Sequence, residues 1–196
     1  MKTLIIVDPQ NDFMPGGSLA VENGDEIVPV INTIQKNYDL VIATQDWHPQ
    51  NHGSFASNHP GKQPFDEGEL GEMDQTFWPD HCVQGSKGAE FHSDLNTDSI
   101  EAIFRKGMDS KIDSYSGFYD NGHKKSTGLS GYLREKGVKQ IDFCGLAADI
   151  CVYFTLKDAV KEGFESNLIK PATRPLDNDT FEKQLGELRQ MNIGIL

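Results

Sequence analysis

Short, nearly unbroken apolar runs alternate along this chain with stretches in which apolar residues recur every three or four positions. This is the pattern of strands and helices taking turns in an α/β protein. Residues 3–8 form a nearly continuous apolar run that ends on Asp8 before Pro9, as a strand buried on both faces of a parallel sheet would. Pro9–Gly24, rich in Gly, Pro and Asn, reads as a loop. Asp25 then fits a helix N-cap, with Pro29 tolerated in the first turn and Ile27, Val30, Ile31 and Ile34 at helical spacing. Leu40–Thr44 reads as a second strand, and Ile100–Phe104 as a third that ends at Arg105-Lys106-Gly107. Gly107–Gly122 is a loop holding Tyr115-Ser116-Gly117-Phe118, and a helix near 126–136 stops at Gly137. Gln140–Gly145 is a fourth strand, followed by a helix carrying Ile150, Val152, Phe154, Leu156 and Ala159, with no breaker before Gly163. Glu165–Lys170 is a fifth strand. Asp177 or Asp179 caps a helix over 180–191, Glu182 completing a capping box if the cap is Asp179, and Asn192–Leu196 is a last strand.

These elements predict a three-layer α/β/α fold around a six-stranded, mostly parallel sheet. The whole chain, 1–196, reads as one domain. If the chain reverses direction after the third strand, the strand order is 3-2-1-4-5-6 and the first and fourth strands meet at the switch point. One segment resists the pattern. From about 45 to 98 the chain is dense in Gly, Pro, Asn and His without a convincing periodic element, yet it carries Phe55, Phe65, Phe77 and Trp78. A loop this long in a compact domain is usually functional or disordered, and the aromatics favour an ordered lid.

Composition narrows the partners. Asp and Glu number 30 against 18 Lys and Arg, for a net charge of −12, which argues against nucleic acid and anionic membrane. No run approaches a transmembrane length, and the N-terminal apolar stretch is too short for a signal peptide. Three cysteines without tight pairing suit a reducing cytosol, so a cytoplasmic protein is expected. The sequence leaves a homo-oligomer open.

Candidate chemistry gathers at predicted strand ends. Cys151 follows the turn from the fourth strand into a helix, where orphan amides and the helix dipole hold a thiolate or an oxyanion. A buried packing cysteine fits the same position. Asp8 closes the first strand at the carboxyl edge, where ligands bind in open α/β sheets, although it also fits a turn-capping residue. Lys106 holds the equivalent place on the third strand, or is a solvated lysine. With the order 3-2-1-4-5-6, Asp8 and Cys151 face each other across the crevice. Asp46 and His48, two apart in extended chain, point the same way. One further imidazole would complete a two-histidine, one-carboxylate set with open positions. His81, constrained by Trp78-Pro79-Asp80, is the best third candidate. Cys82 and Cys144 show no paired spacing for a zinc module and read as packing residues.

Val7-Asp8-Pro9-Gln10-Asn11-Asp12-Phe13, Gln45-Asp46-Trp47-His48-Pro49, Trp78-Pro79-Asp80-His81-Cys82-Val83 and Gly145-Leu146-Ala147-Ala148-Asp149-Ile150-Cys151-Val152 together resemble the bacterial nicotinamidase/pyrazinamidase family of isochorismatase-like cysteine hydrolases. The likeness runs through nearly the whole chain in the same order and includes Tyr115-Ser116-Gly117-Phe118. It implies a triad of Asp8, Lys106 and Cys151, and oxyanion donors at the amides of Ala147 and Cys151 with a cis peptide between Leu146 and Ala147. It further implies a divalent metal (Zn, Fe or Mn) on Asp46, His48 and His81, and an aromatic pocket of Phe13, Trp78 and Tyr115. The activity implied is hydrolysis of nicotinamide, the small-molecule partner, to nicotinate and ammonia through a cysteine thioester, in NAD salvage, with pyrazinamide as a second substrate. The alternative is a metal-free isochorismatase-like amidase or isochorismatase. Two departures stand out. Ile150 lies where some relatives carry His or another polar residue, and Lys170–Pro175 does not match the family pattern. His52, an extra ligand in some relatives, is placed outside the metal's immediate ligands.

Overall fold

The computed structural model describes all 196 residues. Its central sheet is formed by β1 (Thr3–Val7), β2 (Leu40–Asp46), β5 (Ile100–Lys106), β6 (Gln140–Gly145), β7 (Glu165–Thr173) and β8 (Gly194–Ile195), in the order β5-β2-β1-β6-β7-β8 with every pairing parallel. In order of the sheet strands along the chain this is the expected 3-2-1-4-5-6. The reversal places β1 beside β6 at the centre, with Val7 opposite Gly145. Every residue of β1 is buried, as a strand covered on both faces requires. Ile5 and Val7 face a core built with the helices α2 (Leu129–Glu135), α3 (Tyr153–Lys161) and α4 (Asn178–Gln190). Leu4 and Ile6 face a second core built with α1 (Ile27–Ile34), the Pro9–Val21 loop and parts of the 45–98 segment.

Several boundaries differ from the sequence expectation, each for a local reason. Asp25 does not cap α1. It lies in a 3-10 turn, Gly24–Glu26, entered through left-handed Asn23, and no side-chain cap bond is made. Asp177 rather than Asp179 caps α4, its carboxylate accepting the N–H of Thr180 at 2.7 Å, and the helix starts two residues earlier than expected. β7 runs past Pro171 to Thr173, because the pairing with β6 shifts register between Phe143 and Gly145 and a proline is tolerated at such an irregularity. The 45–98 segment contains a two-stranded antiparallel hairpin, β3 (Glu67–Leu70) with β4 (Met73–Thr76), which alternation too short and too polar to register had hidden.

The turn after β6 must pass hard against β1. Gly145 has φ +113°, and a Cβ there would lie 2.0 Å from the Val7 carbonyl oxygen, so only glycine lets the two central strands end side by side. The Leu146–Ala147 peptide is cis, as the resemblance implied. Ala148–Val152 forms a π-helical turn before α3, so Cys151 sits in a wide turn rather than on the first regular turn of an α-helix. No helix is long and apolar enough to cross a membrane.

Candidate active site

Three strand ends bring Asp8, Lys106 and Cys151 to one point. Asp8 follows β1 in the left-handed region, φ +45°, a conformation uncommon for a residue with a side chain. Thr44 of β2 holds it there: the Thr44 hydroxyl donates to Asp8 Oδ1 at 2.6 Å and accepts the Asp8 N–H at 3.2 Å. The other oxygen, Oδ2, pairs with Lys106 Nζ at 3.0 Å and carries no hydrogen bond besides. Lys106, the last residue of β5, is buried although it is a lysine. Its ammonium reaches Asp46 Oδ1 at 2.8 Å, the Ser114 carbonyl at 3.0 Å and Cys151 Sγ at 3.4 Å. A buried cation with this many partners is a structured charge, not a solvated one.

Burial pushes the Cys151 thiol up, and Lys106 pulls against that shift. Burial likewise raises Asp8, although Lys106 and the Thr44 hydrogen bond oppose it. For Lys106 burial alone would lower the ammonium, but Asp46 and Asp8 outweigh it and hold the charge firmly on. The result is a protonated thiol beside a carboxylate of raised basicity. This pairing suits proton transfer from sulfur to oxygen.

Behind this trio lies a second one. Asp46 Oδ2 is 3.3 Å from His48 Nε2 and 3.6 Å from His81 Nε2. His48 Nδ1 meets the Gly107 carbonyl at 2.9 Å, and His81 Nδ1 meets the Pro79 carbonyl at 2.8 Å. A carbonyl only accepts, so each Nδ1 carries a proton, and Nε2 of each ring is the atom turned toward Asp46. A backbone carbonyl on Nδ1 orients each imidazole for a metal at its other nitrogen. The three donor atoms lie within 4.8 Å of one another, so the residues fit a divalent ion. Gly107 enables the approach: at φ +68° a Cβ would lie 2.4 Å from the His48 ring. Gln10 fixes the strand end, exchanging hydrogen bonds with the Asp46 backbone through Oε1 at 2.7 Å and Nε2 at 2.8 Å. Burial opposes ionisation of Asp46, but Lys106 and His48 hold its carboxyl well below the usual range.

Between the trios is a narrow, mostly apolar cavity with a free volume of about 20 Å³. Phe13, Trp78 and Tyr115 line it, with Asp46, His81, Ala147 and Cys151. Trp78 and Tyr115 meet edge to face at 6.2 Å, and Phe13 lies 5.7 Å from the His81 ring. Sequence reasoning missed four residues of the lining: Leu19, Asp113, Ile150 and Leu176. Leu19 and Leu176 come from loops without periodicity, so nothing in the hydrophobic pattern marked them. Asp113 is oriented by Gln75 of β4, whose Nε2 donates to Asp113 Oδ2 at 2.9 Å and meets the Tyr115 hydroxyl at 3.1 Å. His52 is fully buried, its ring centroid 4.3 Å from that of His48, with Nδ1 on the Ser54 hydroxyl at 2.7 Å. Burial and the His48 charge depress it to about 4. Cys82 and Cys144 are buried in the second core, as packing residues are.

A cysteine, a carboxylate and a lysine at the carboxyl edge of a doubly wound parallel sheet define the cysteine-hydrolase class of α/β protein. The chain belongs to the isochorismatase family, whose domain model matches residues 2–196. It is 49% identical over 174 residues to a nicotinamidase of Acinetobacter baylyi, covering 89% of this chain and 81% of that protein. A solved nicotinamidase/pyrazinamidase of Acinetobacter baumanii superposes with a TM-score of 0.96 at 46% identity, covering 100% of this chain and 95% of that one. The pyrazinamidase of Pyrococcus horikoshii, solved in complex with zinc, superposes with a TM-score of 0.81 at 37% identity over 100% of this chain and 98% of that one.

Proposed function

We propose that this chain is a nicotinamidase, an amidohydrolase that converts nicotinamide to nicotinate and ammonia through a cysteine thioester. The observation that carries the mechanism is the single buried ammonium of Lys106 within 3.4 Å of Cys151 Sγ and 3.0 Å of Asp8 Oδ2. The relatives named nicotinamidase supply the substrate class. Asp8, whose Oδ2 has no partner beyond Lys106, takes the thiol proton, and Lys106 stabilises the thiolate that forms. Sulfur attacks the carboxamide carbon. The backbone amides of Ala147 and Cys151 are the donors for the tetrahedral oxyanion, each such donor being worth ~10²–10³ in rate. Protonated Asp8 gives its proton to the leaving ammonia. Water then adds to the thioester with Asp8 again as base, releasing nicotinate and restoring the thiol.

Asp46, His48 and His81 would hold one divalent ion, which supplies a Lewis-acid anchor for the pyridine nitrogen. Zinc is the ion of the Pyrococcus structure, and the nitrogen and oxygen donor set here also accepts Fe or Mn. Phe13, Trp78 and Tyr115, which line the cavity, would pack on the ring and exclude water from the reacting carbon.

Ammonia release from nicotinamide by the wild-type protein and by Cys151→Ala tests the reading. Turnover in the first and its loss in a folded second is the expected result. Turnover retained in Cys151→Ala removes the nucleophile, and no turnover by metal-replete wild type removes the substrate, leaving another carboxamide.

A further inference from the structure

The turn that presents Cys151 is tied by hydrogen bonds to the end of β7 and the loop that follows it. Thr173 Oγ1 donates to the Gly145 carbonyl at 2.7 Å, and the Ala148 N–H donates to the Arg174 carbonyl at 2.9 Å. Asp149, two residues before the nucleophile, is only 4% exposed yet faces no cation. Its carboxylate takes two consecutive backbone amides of that loop, the N–H of Leu176 on Oδ1 at 2.8 Å and the N–H of Asp177 on Oδ2 at 3.0 Å. Gln184 of α4 then donates to the Asp149 carbonyl at 2.9 Å. A buried carboxylate that accepts two amides is charge-assisted on both oxygens and fixes the orientation of the peptides it holds.

The residue between those anchored amides is Leu176, whose side chain closes the cavity together with Leu19 and Ile150. On the far side Arg174 reaches Glu26 Oε2 at 3.0 Å, so the loop is held at both shoulders. Leu176 is therefore an apolar wall on an irregular loop, held in place by a carboxylate from the same turn that carries the nucleophile.

We propose that Leu176 sets the size limit for the substrate ring and that Asp149 is the positioning residue that holds this wall against the cavity. The proposal deepens the nicotinamidase reading and rests on it for the identity of the ring. Because Asp149 touches neither sulfur nor the cavity, its effect is on the fit of the ring rather than on bond making.

The test compares wild type, Leu176→Ala and Asp149→Asn on nicotinamide and on its ring-methylated isomers. Leu176→Ala should raise the relative kcat/KM of at least one methylated isomer over nicotinamide by about tenfold or more, the scale at which an apolar wall discriminates a methyl group. Asp149→Asn keeps the shape but has one acceptor and one donor, so one loop amide faces an N–H. It should raise KM for nicotinamide more than it lowers kcat and shift ring preference in the same direction as Leu176→Ala. A second readout needs no turnover: labelling of Cys151 by iodoacetamide against N-benzyl iodoacetamide, where both variants should favour the bulkier reagent relative to wild type. Unchanged preference in Leu176→Ala by both readouts overturns the wall. A fall in kcat at constant KM and constant preference in Asp149→Asn overturns the positioning role. If Asp149→Asn does not fold, hydrogen exchange in wild type decides it: protected Leu176 and Asp177 amides support the anchor, and amides exchanging at free-loop rates overturn it. Wild type that labels with size discrimination but leaves nicotinamide intact defeats the substrate reading alone.

Discussion

Asp8 and Asp46 close neighbouring strands, are both buried, and touch the same ammonium at 3.0 and 2.8 Å, yet the protein drives them in opposite directions. Asp8 belongs to the sheet-borne region, with one lysine, one threonine hydroxyl and a thiol around it, and burial wins, so its carboxyl is raised. Asp46 belongs to the region shared with the 45–98 segment, where His48 and His81 join Lys106 around it, and its carboxyl is held low. Two carboxylates pushed apart by their surroundings take different chemical roles. The raised one is a proton acceptor that also returns the proton, and the lowered one is a permanent anion suited to a cation.

Exchanging the roles should break this comparison most visibly. Asp8→Asn is expected to cut turnover of nicotinamide on the order of 10⁴-fold while leaving bound metal intact by elemental analysis. Asp46→Asn should instead strip the metal and raise KM, with Cys151 still open to alkylation. Equal metal loss in both variants would mean that the two carboxylates form one undivided site.

Removing the shared cation sharpens it next. Lys106 lowers both Asp8 and the Cys151 thiol, so Lys106→Met lets both rise. Activity requires Asp8 ionised, hence the acid limb of kcat/KM should move to higher pH, and alkylation of Cys151 should likewise need higher pH. Two buried carboxylates left without their cation should also cost about 3–5 kcal/mol in urea unfolding at neutral pH. An acid limb that stays in place would show that Lys106 serves Asp46 alone.

The smallest effect is expected at Thr44, whose hydroxyl lowers only Asp8 and does so less than Lys106. Thr44→Val should shift the acid limb in the same direction by a smaller amount, cost about 1.5–3 kcal/mol for the lost bond to a charged group, and leave metal content unchanged. A downward shift of the limb would contradict the hydrogen bond from Thr44 to Asp8 Oδ1.

Much of this site was legible from pattern because its parts are tied to strand ends. An apolar run that stops at Asp8, a second that leads into Asp46 and His48, and a third that ends at Lys106 each mark a carboxyl edge, and parallel topology then gathers those edges. His81 was reachable because Trp78-Pro79 restricts the chain before it. The hairpin of β3 and β4 was not, because Glu67–Leu70 and Met73–Thr76 alternate over too few residues to stand out from a polar loop. Nor was the extent of β7, since Pro171 argues against a strand until the register shift that admits it is seen.

What the amino-acid order determined by itself was the kind of fold and the inventory of reactive groups, because hydrophobic period and residue type are local properties carried by neighbours in the chain. Only the tertiary structure decided which group does what. The opposite shifts of Asp8 and Asp46 come from burial and from charges that arrive from β5, the 45–98 segment and the turn after β6, all far away in sequence. Leu176 becomes a wall of the cavity only because Asp149, twenty-seven positions earlier, accepts its amide. Desolvation and hydrogen bonding act through space over a few ångströms, and the chain reveals such distances only once it has folded.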